Sequence, residues 1–321
     1  MNKIKRSLKL LQAAFAVLFR EKKLLLFPLI ASVLALVLAI FFIAPIALQP
    51  TGYSYTSGKH WTAVIQSFAP ETQAEVKSDP VKHTPYRPPL QHAAWWVAPF
   101  LAITYFVSMF LGTFSNVAFY HEIMQALDGN TVSIQRGFRF AATKWRPILM
   151  WSLFAGLVGY IINAIEQRFS FFGRIIAGFL GFAWSVACIF VIPTLVRDTE
   201  NANPLKLLRT SAGTLKRSWG ELVIGFVGLE LALGLVFMLL LLLAIVGAGM
   251  GGVYLGLHFN LQSLGMVAVC IGAMTLVAMP FLLISSVVNP VYRCALFIYA
   301  TEGVVPESFD QELLDSAWKV K

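Results

Sequence analysis

Six long apolar runs constrain the fold of this 321-residue sequence more than any other feature. Each run is about twenty residues long, which is the length of an α-helix that crosses the hydrocarbon core of a bilayer. The composition agrees, because 58% of the residues are hydrophobic and only 13% are charged, roughly half the charged share of a soluble domain. The sequence therefore predicts an all-α, polytopic membrane protein and excludes an ordinary soluble globular fold.

The six predicted transmembrane helices form three hairpins within one membrane domain that covers residues 1–321. They are expected at residues 24–48, 96–119, 147–165, 173–196, 221–246 and 264–290. The first run is expected to be retained as a span, because it is too long for a cleavable export signal. Residues 49–95 are the largest predicted external loop, with a short helix expected around residues 60–78. Residues 291–321 are the predicted cytoplasmic tail.

Lys and Arg residues are distributed unequally between the two sides of this predicted topology. Nineteen of the 25 lie on the side that holds both termini, and six lie on the other side. Because basic residues close to span ends resist translocation, both termini are predicted to be cytoplasmic, as in a bacterial inner membrane. The net charge of +9 is then a property of the cytoplasmic face, which attracts anionic lipid headgroups. No nucleic-acid partner is needed to explain it.

A basic amphipathic segment precedes the first, third and fifth spans. The three segments, at residues 1–23, 131–146 and 203–219, each repeat apolar residues every three or four positions with cations between them. Such a helix lies in the headgroup plane with its cations towards anionic lipid. Ser133 and Asn203 are the expected caps of the second and third. The alternative to a repeated unit is that the likeness among the three segments is a coincidence. The predicted lipid contacts are Lys5, Arg6, Lys9, Arg136, Arg139, Lys144, Lys206, Arg209, Lys216 and Arg217.

Two stretches of the sequence resemble a known but uncharacterised family. One is the segment Arg20-Glu21-Lys22-Lys23-Leu24-Leu25-Leu26-Phe27-Pro28-Leu29, and the other runs from Asn289-Pro290-Val291-Tyr292 through Ala295 to Gly303, followed by Val305-Pro306 and Phe309-Asp310. They are similar to a family of six-span prokaryotic membrane proteins of unknown function. Its layout is similar to the membrane domain attached to some glycerophosphoryl diester phosphodiesterases. The resemblance implies a fold and a location, and it implies no activity and no catalytic residues.

A search for catalytic motifs predicts no enzyme, no metal site and no cofactor. His121-Glu122 begins like a metalloprotease helix, but Gln125 stands where the second zinc-binding His belongs, so both residues are expected to cap the cytoplasmic end of the second span. The glycines of residues 247–252 have dinucleotide-loop spacing without the strand that such a loop follows, and are instead expected to form a close-packing seam. His60, His83 and His92 of the external loop are expected to be solvated side chains.

Glu230 is the candidate intramembrane polar residue, because it falls inside the fifth predicted span. It lies nine residues beyond Glu221, or about 13 Å along a helix. An ionised carboxylate there costs several kcal/mol, and such residues usually face the bundle interior or a cavity. The side chain is expected to be protonated or hydrogen-bonded to a neighbouring helix. It is either a proton or cation relay or a structural carboxyl, and the structural reading is preferred.

Two hypotheses from different functional classes follow. The preferred one is an accessory or scaffold protein that binds anionic lipid and a membrane-protein partner, with a homo-oligomer as a further possibility. The alternative is a transporter or lipid-handling permease that uses Glu230 as an intramembrane site, because repeated hairpins with sites between them recur in transporters. An enzyme ranks third, since no nucleophile or metal set is visible.

Overall fold

The computed structural model describes residues 3–48, 52–68, 90–168, 171–197, 203–216, 233–247, 249, 251 and 263–309. These described residues are helical apart from turns and short links, and they contain no strand. The helices are α1 (Lys3–Arg20), a 3-10 turn (Lys22–Leu25), α2 (Leu26–Ala47), α3 (Gly58–Phe68), α4 (Leu90–Leu127), α5 (Ile134–Thr143), α6 (Trp145–Arg168), α7 (Phe171–Ala187), α8 (Val191–Arg197), α9 (Pro204–Lys216), α10 (Leu233–Gly247) and α11 (Ser263–Glu302). The all-α prediction is confirmed for this part of the chain.

Five stretches of the described chain are long and apolar enough to cross a membrane. They are Lys22–Pro45, Pro99–Leu127, Trp145–Gln167, Gly173–Arg197 and Ile271–Glu302. Much of their surface consists of large apolar side chains open to the surroundings, as expected for helices solvated by lipid. The chain is therefore a multi-pass helical membrane protein. Of the sixth predicted span, residues 221–232 lie outside the described residues, and the rest forms the apolar helix α10.

The chain forms two compact units. Unit 1 comprises Met1–Ala31 and Gly112–Lys321, and unit 2 comprises Ser32–Leu111. Within unit 1, α1 packs along α11 and α6 packs along α7. Trp151 of α6 and Trp184 of α7 stack with their ring centroids 6.0 Å apart and their planes 6° from parallel. Such aromatic pairs add specificity between helices that share the same apolar surroundings.

The fourth predicted span is interrupted near its end, which the apolar pattern did not predict. Residues 188–190 form a turn between α7 and α8, because Pro193 of α8 has no N–H with which to continue the helical ladder. Ser211 of α9 compensates for part of the loss. Its fully buried hydroxyl donates to the carbonyl of Ala187 at 2.6 Å and accepts the Phe190 N–H at 3.1 Å. The helix α9 therefore stabilises the break.

The three basic amphipathic segments contain helices whose apolar sides are partly covered by protein. In α1, Ala13, Ala14, Val17 and Leu18 are buried, and this helix packs on α11. In α9, Leu207, Ser211 and Leu215 are buried, and this helix packs on α6, α7 and α8. The Ser133 hydroxyl accepts the Arg136 N–H and the Asn203 side-chain oxygen accepts the Leu205 N–H, so both predicted caps are confirmed.

In unit 2, part of the predicted external loop folds back on the end of the first span. The helix α3 lies at residues 58–68, so it begins two residues before the expected region of 60–78. Residues 69–89 lie outside the described ones. His60 is fully buried, and its Nε2 lies 2.9 Å from the carbonyl oxygen of Ala47 at the end of α2. The prediction of a solvated His60 is therefore wrong, because the ring covers an end carbonyl that α2 cannot satisfy itself.

Candidate functional site

Glu122, near the end of α4, is the centre of the most organised polar region that the structure describes. Its side chain is completely buried. Oε1 accepts a hydrogen bond from Arg136 Nε at 2.8 Å, and Oε2 accepts from Arg136 Nη2 at 2.6 Å and from the Ser133 N–H at 2.7 Å. Arg136 Nη2 also donates to the Thr131 carbonyl at 2.7 Å. The two-pronged pairing fixes the start of α5 against the end of α4.

Gly137 allows this pairing, because it brings α5 unusually close to α4. A Cβ atom built on Gly137 would lie 2.8 Å from the carbonyl oxygen of Ala118 and 2.9 Å from Cγ of Glu122. The Phe27 ring from the start of α2 would lie 3.2 Å away, and it also stacks on Phe138 at 5.8 Å between centroids. Only a residue without a side chain fits in this space.

A second layer of ion pairs surrounds this centre. Arg197, the last residue of α8, lies 3.0 Å from a carboxylate oxygen of Glu302 and 3.7 Å from Asp128. Arg20, at the end of α1, lies 3.7 Å from Glu307 and donates to the carbonyl of Ala126. We call these residues the ion-pair cluster: Arg20, Glu122, Asp128, Arg136, Arg197, Glu302 and Glu307. The end of unit 1 that carries the cluster is called the basic end.

The two layers differ in what they contribute to stability. The partners of the outer layer are between 37% and 77% exposed, and exposed pairs of this kind contribute little, about 0–1 kcal/mol each. Glu122 is fully desolvated, so the free energy of unfolding depends far more on whether its charge is compensated. Its hydrogen bonds raise the pKa of the Arg136 guanidinium above the ordinary value, and Arg136 therefore stays protonated at all physiological pH values.

Two chain reversals, at Gly129 and Gly303, place acids at the basic end. Gly129 follows Asp128 with a φ of 82°, and Gly303 follows Glu302 with a φ of 68°. Positive φ at a glycine ends a helix because it turns the chain out of the helical path. Each acid therefore stands at the last turn of a membrane helix, where Arg197 reaches both. An acid directly before a glycine at the end of an apolar run is the sequence signal that marks both positions.

A cavity of about 290 Å³ opens beside the outer ion pairs. Its lining is apolar except for Asp128 and Glu307, and consists of Leu127, Asp128, Ile298, Val304, Val305, Pro306 and Glu307. Both carboxylates already face an Arg of the cluster. The cavity is therefore a compact recess with an apolar floor and a charged edge.

The residues His121 and Glu122 do not form a metal site with any described neighbour. His121 stacks on Phe140 with centroids 3.9 Å apart, and its Nε2 lies 3.9 Å from Glu122, beyond hydrogen-bonding distance. Both Glu122 oxygens are already used by Arg136 and Ser133. Among the described residues, no group of three His, Cys, Asp or Glu side chains could hold a metal ion.

The predicted lipid-contacting cations have different surroundings. Lys9, Arg139, Lys206, Arg209 and Lys216 are exposed. Lys144 is half-buried, with its ammonium 5.9 Å from the Phe140 ring centroid. Arg136 has its guanidinium directed to Glu122 instead. The side chains of Lys5 and Arg6, and the whole of Arg217 and Glu230, lie outside the described residues.

The expected close-packing seam at residues 247–252 is not found at its described glycines. Cβ atoms built on Gly247, Gly249 and Gly251 would have no heavy atom of the described residues within 4 Å. The described residues therefore give that interpretation no support at these three positions. Gly137 is a described glycine at which two helices do approach closely, and it stands between Arg136 and Phe138 without a repeat of small residues.

Comparison with protein-family models finds a match over more than half of the chain. Residues 94–306 match a family of unknown function (DUF6159). This region runs from near the start of α4 to just beyond α11 and contains most of the ion-pair cluster. No curated protein and no solved structure matches the chain.

Proposed function

The chain belongs to this family of unknown function, and we propose that it is a non-catalytic accessory or scaffold protein that binds a membrane-protein partner and anionic lipid. The observation that carries the proposal is the ion-pair cluster. It joins the ends of α1, α4, α8 and α11 to the start of α5 through charge-assisted contacts. A binding platform benefits from helix ends held in one arrangement, whereas a transporter must let them move.

The cavity at the basic end supports a partner-binding role. Its apolar floor and charged edge match the anatomy of a protein contact, in which an apolar centre is surrounded by polar groups. The proposal assigns the present chain a supporting role towards a separate partner.

The topology within this proposal has six spans arranged as three hairpins. The ion pair between Arg197 and Glu302 supports it, because the pair requires both residues to lie on one side of the membrane. The helix α11 crosses once between them. A second crossing is then required within residues 198–262, which contain the apolar helix α10. The excess of basic residues on this side supports a cytoplasmic location for both termini in a bacterial inner membrane.

A topology test follows from this arrangement. A reporter fused after Lys321 should remain cytoplasmic, and a cysteine placed at Ser78 should react with a membrane-impermeant thiol reagent added outside the cell. The physical reason is the cost of translocating the basic links. Labelling of a cysteine at Thr143, the last residue of α5, serves as the matched control and should require membrane lysis. The reverse pattern would contradict the proposed orientation.

The proposed function predicts a bound partner. Purification from native membranes in nanodiscs at natural abundance, followed by mass spectrometry, should recover a membrane protein in fixed stoichiometry together with anionic lipid. Glu230→Gln should leave folding and partner recovery intact, since a protonated Glu and a Gln are nearly isosteric. The exposed Glu166→Gln of α6 is the matched control.

The same experiment distinguishes the scaffold proposal from the alternative, a transporter. A protein recovered without a partner, holding one defined solute or lipid that is lost in Glu230→Gln, would contradict the scaffold and favour a transporter with an intramembrane site. Loss of insertion in Glu230→Gln would contradict the assignment of a protonated structural carboxyl.

A further inference from the structure

Cations at the basic end fall into two groups with different surroundings. Arg20, Arg136 and Arg197 belong to the ion-pair cluster and are directed to carboxylates of this chain. A second group is exposed, and none of its members forms an ion pair in the part of the chain that the structure describes. We call it the open basic surface: Lys9, Lys22, Lys23, Arg139, Lys206, Arg209 and Lys216.

Among the described residues, the acids closest to the open basic surface already have partners in this chain. Glu122, Asp128, Glu302 and Glu307 pair with arginines of the cluster, and Glu21 accepts the Val132 N–H at 3.1 Å. The helices that carry the open basic surface contain no acid at all, in α1, in the 3-10 turn, in α5 or in α9. Within the described residues, no acid therefore pairs with these cations, and an external anion can neutralise their charge.

Large apolar side chains are exposed next to these cations. Phe19 is 67% exposed and precedes Lys22 and Lys23 by about one turn, and Leu205 is 60% exposed and directly precedes Lys206. Trp145, 48% exposed, follows α5 and lies 5.3 Å below the Arg146 guanidinium. Indole rings prefer the membrane interface. An anion that also carries apolar chains can contact both the cations and the exposed apolar side chains, whereas a soluble polyanion can contact only the cations.

From these observations we infer that the open basic surface binds the anionic headgroups of phospholipids, while Phe19, Trp145 and Leu205 contact the acyl-chain boundary. The inference rests on the lipid part of the proposed function and deepens it. It differs from the sequence interpretation in two ways. Arg136 is excluded, because its guanidinium is bound to Glu122. The buried apolar faces of α1 and α9 contact protein, so lipid contact depends on the exposed faces.

The test uses the full chain in nanodiscs of equimolar phosphatidylglycerol and phosphatidylcholine. Native mass spectrometry then counts the lipids of each kind that remain bound after collisional release. The wild type should retain phosphatidylglycerol in preference to phosphatidylcholine. The variant Lys22→Gln/Lys23→Gln/Arg139→Gln should lose this preference by about fivefold for each charge that contacts a headgroup. Added salt should weaken the wild-type preference in the same direction, because it screens exposed charges.

Two controls keep the result interpretable. Lys22→Arg/Lys23→Arg/Arg139→Lys keeps the charges and should keep the preference. Lys59→Gln removes an exposed cation from α3 of unit 2 and should also leave it unchanged. Because the replaced side chains have no partner among the described residues, the triple Gln variant should keep its thermal midpoint in pure phosphatidylcholine, which separates lost binding from misfolding.

Three outcomes would overturn the inference. They are equal retention of both lipids by the wild type, undiminished preference in the triple Gln variant, and loss of a bound protein instead of lipid from that variant. Failure to recover a protein partner from native membranes would contradict the scaffold proposal and leave this lipid measurement unaffected, so the two failures are distinguishable.

Discussion

Arg136→Met is expected to lower the free energy of unfolding by about 3 kcal/mol, the lower end of the cost of breaking a buried ion pair by removing one partner. The variant leaves the Glu122 carboxylate fully buried, with the Ser133 N–H as its remaining donor among the contacts described above. Equilibrium unfolding in mixed micelles, with increasing fractions of a denaturing detergent, measures the effect.

Substitution of the other partner, Glu122, should lower the free energy of unfolding by less, and this asymmetry is the sharper part of the prediction. In Glu122→Gln the unpaired charge is that of Arg136, whose side chain is 39% exposed and can therefore be hydrated. The Gln carbonyl also still accepts one hydrogen bond. A loss of about 1 kcal/mol is expected. Glu122→Leu combined with Arg136→Met should recover much of the stability lost in Arg136→Met alone, because no buried charge remains. A larger loss in Glu122→Gln than in Arg136→Met would contradict this account.

Gly137→Ala is expected to destabilise the protein by about 2–3 kcal/mol, although alanine is the better helix former. The new methyl group would lie 2.8 Å from the carbonyl oxygen of Ala118. That oxygen belongs to the backbone of α4 and cannot rotate away, so α5 must move. Because Arg136 is the neighbouring residue, the shift should also lengthen its hydrogen bonds to Glu122. Unfolding in mixed micelles measures the loss.

Gly213→Ala in α9 is the matched control for this effect. A Cβ at Gly213 has no heavy atom within 4 Å, and the position is exposed and helical. The substitution should raise the free energy of unfolding by about 0.4–1 kcal/mol, because it reduces the entropy of the unfolded chain. The two alanine variants should therefore have opposite signs. A neutral Gly137→Ala would show that the close approach of α5 to α4 does not constrain the fold.

Local properties of the chain account for the predictions that succeeded. Apolar length predicts a membrane helix because every backbone polar group must be satisfied within the span, and five described spans agree with this pattern. The caps at Ser133 and Asn203 depend on one side chain and an N–H two or three residues away. Such features need no knowledge of distant residues, so a single sequence was enough to locate them.

The features that were missed depend on residues far apart in the chain. The pair Arg197–Glu302 joins positions 105 residues apart, and neither residue belongs to a local motif. His60, His83 and His92 have no fixed spacing, which predicts solvated side chains, yet His60 is buried against the carbonyl of Ala47. Glycine content predicts close packing at residues 247–252, whereas among the described glycines the short contacts lie at Gly137, because composition shows where helices can approach and not where they do.

The sequence by itself determined that this protein is helical and membrane-spanning, that it contains several long apolar helices, and which segments carry excess positive charge, since these follow from residue type and local period. Tertiary structure alone decided which charges are paired. Arg136 and Arg139 are equivalent members of one basic helix in the sequence. In the folded protein, Arg136 pairs with the buried Glu122 beside Gly137, whereas Arg139 is exposed. The difference arises because pairing depends on which helices meet and on how closely their backbones approach.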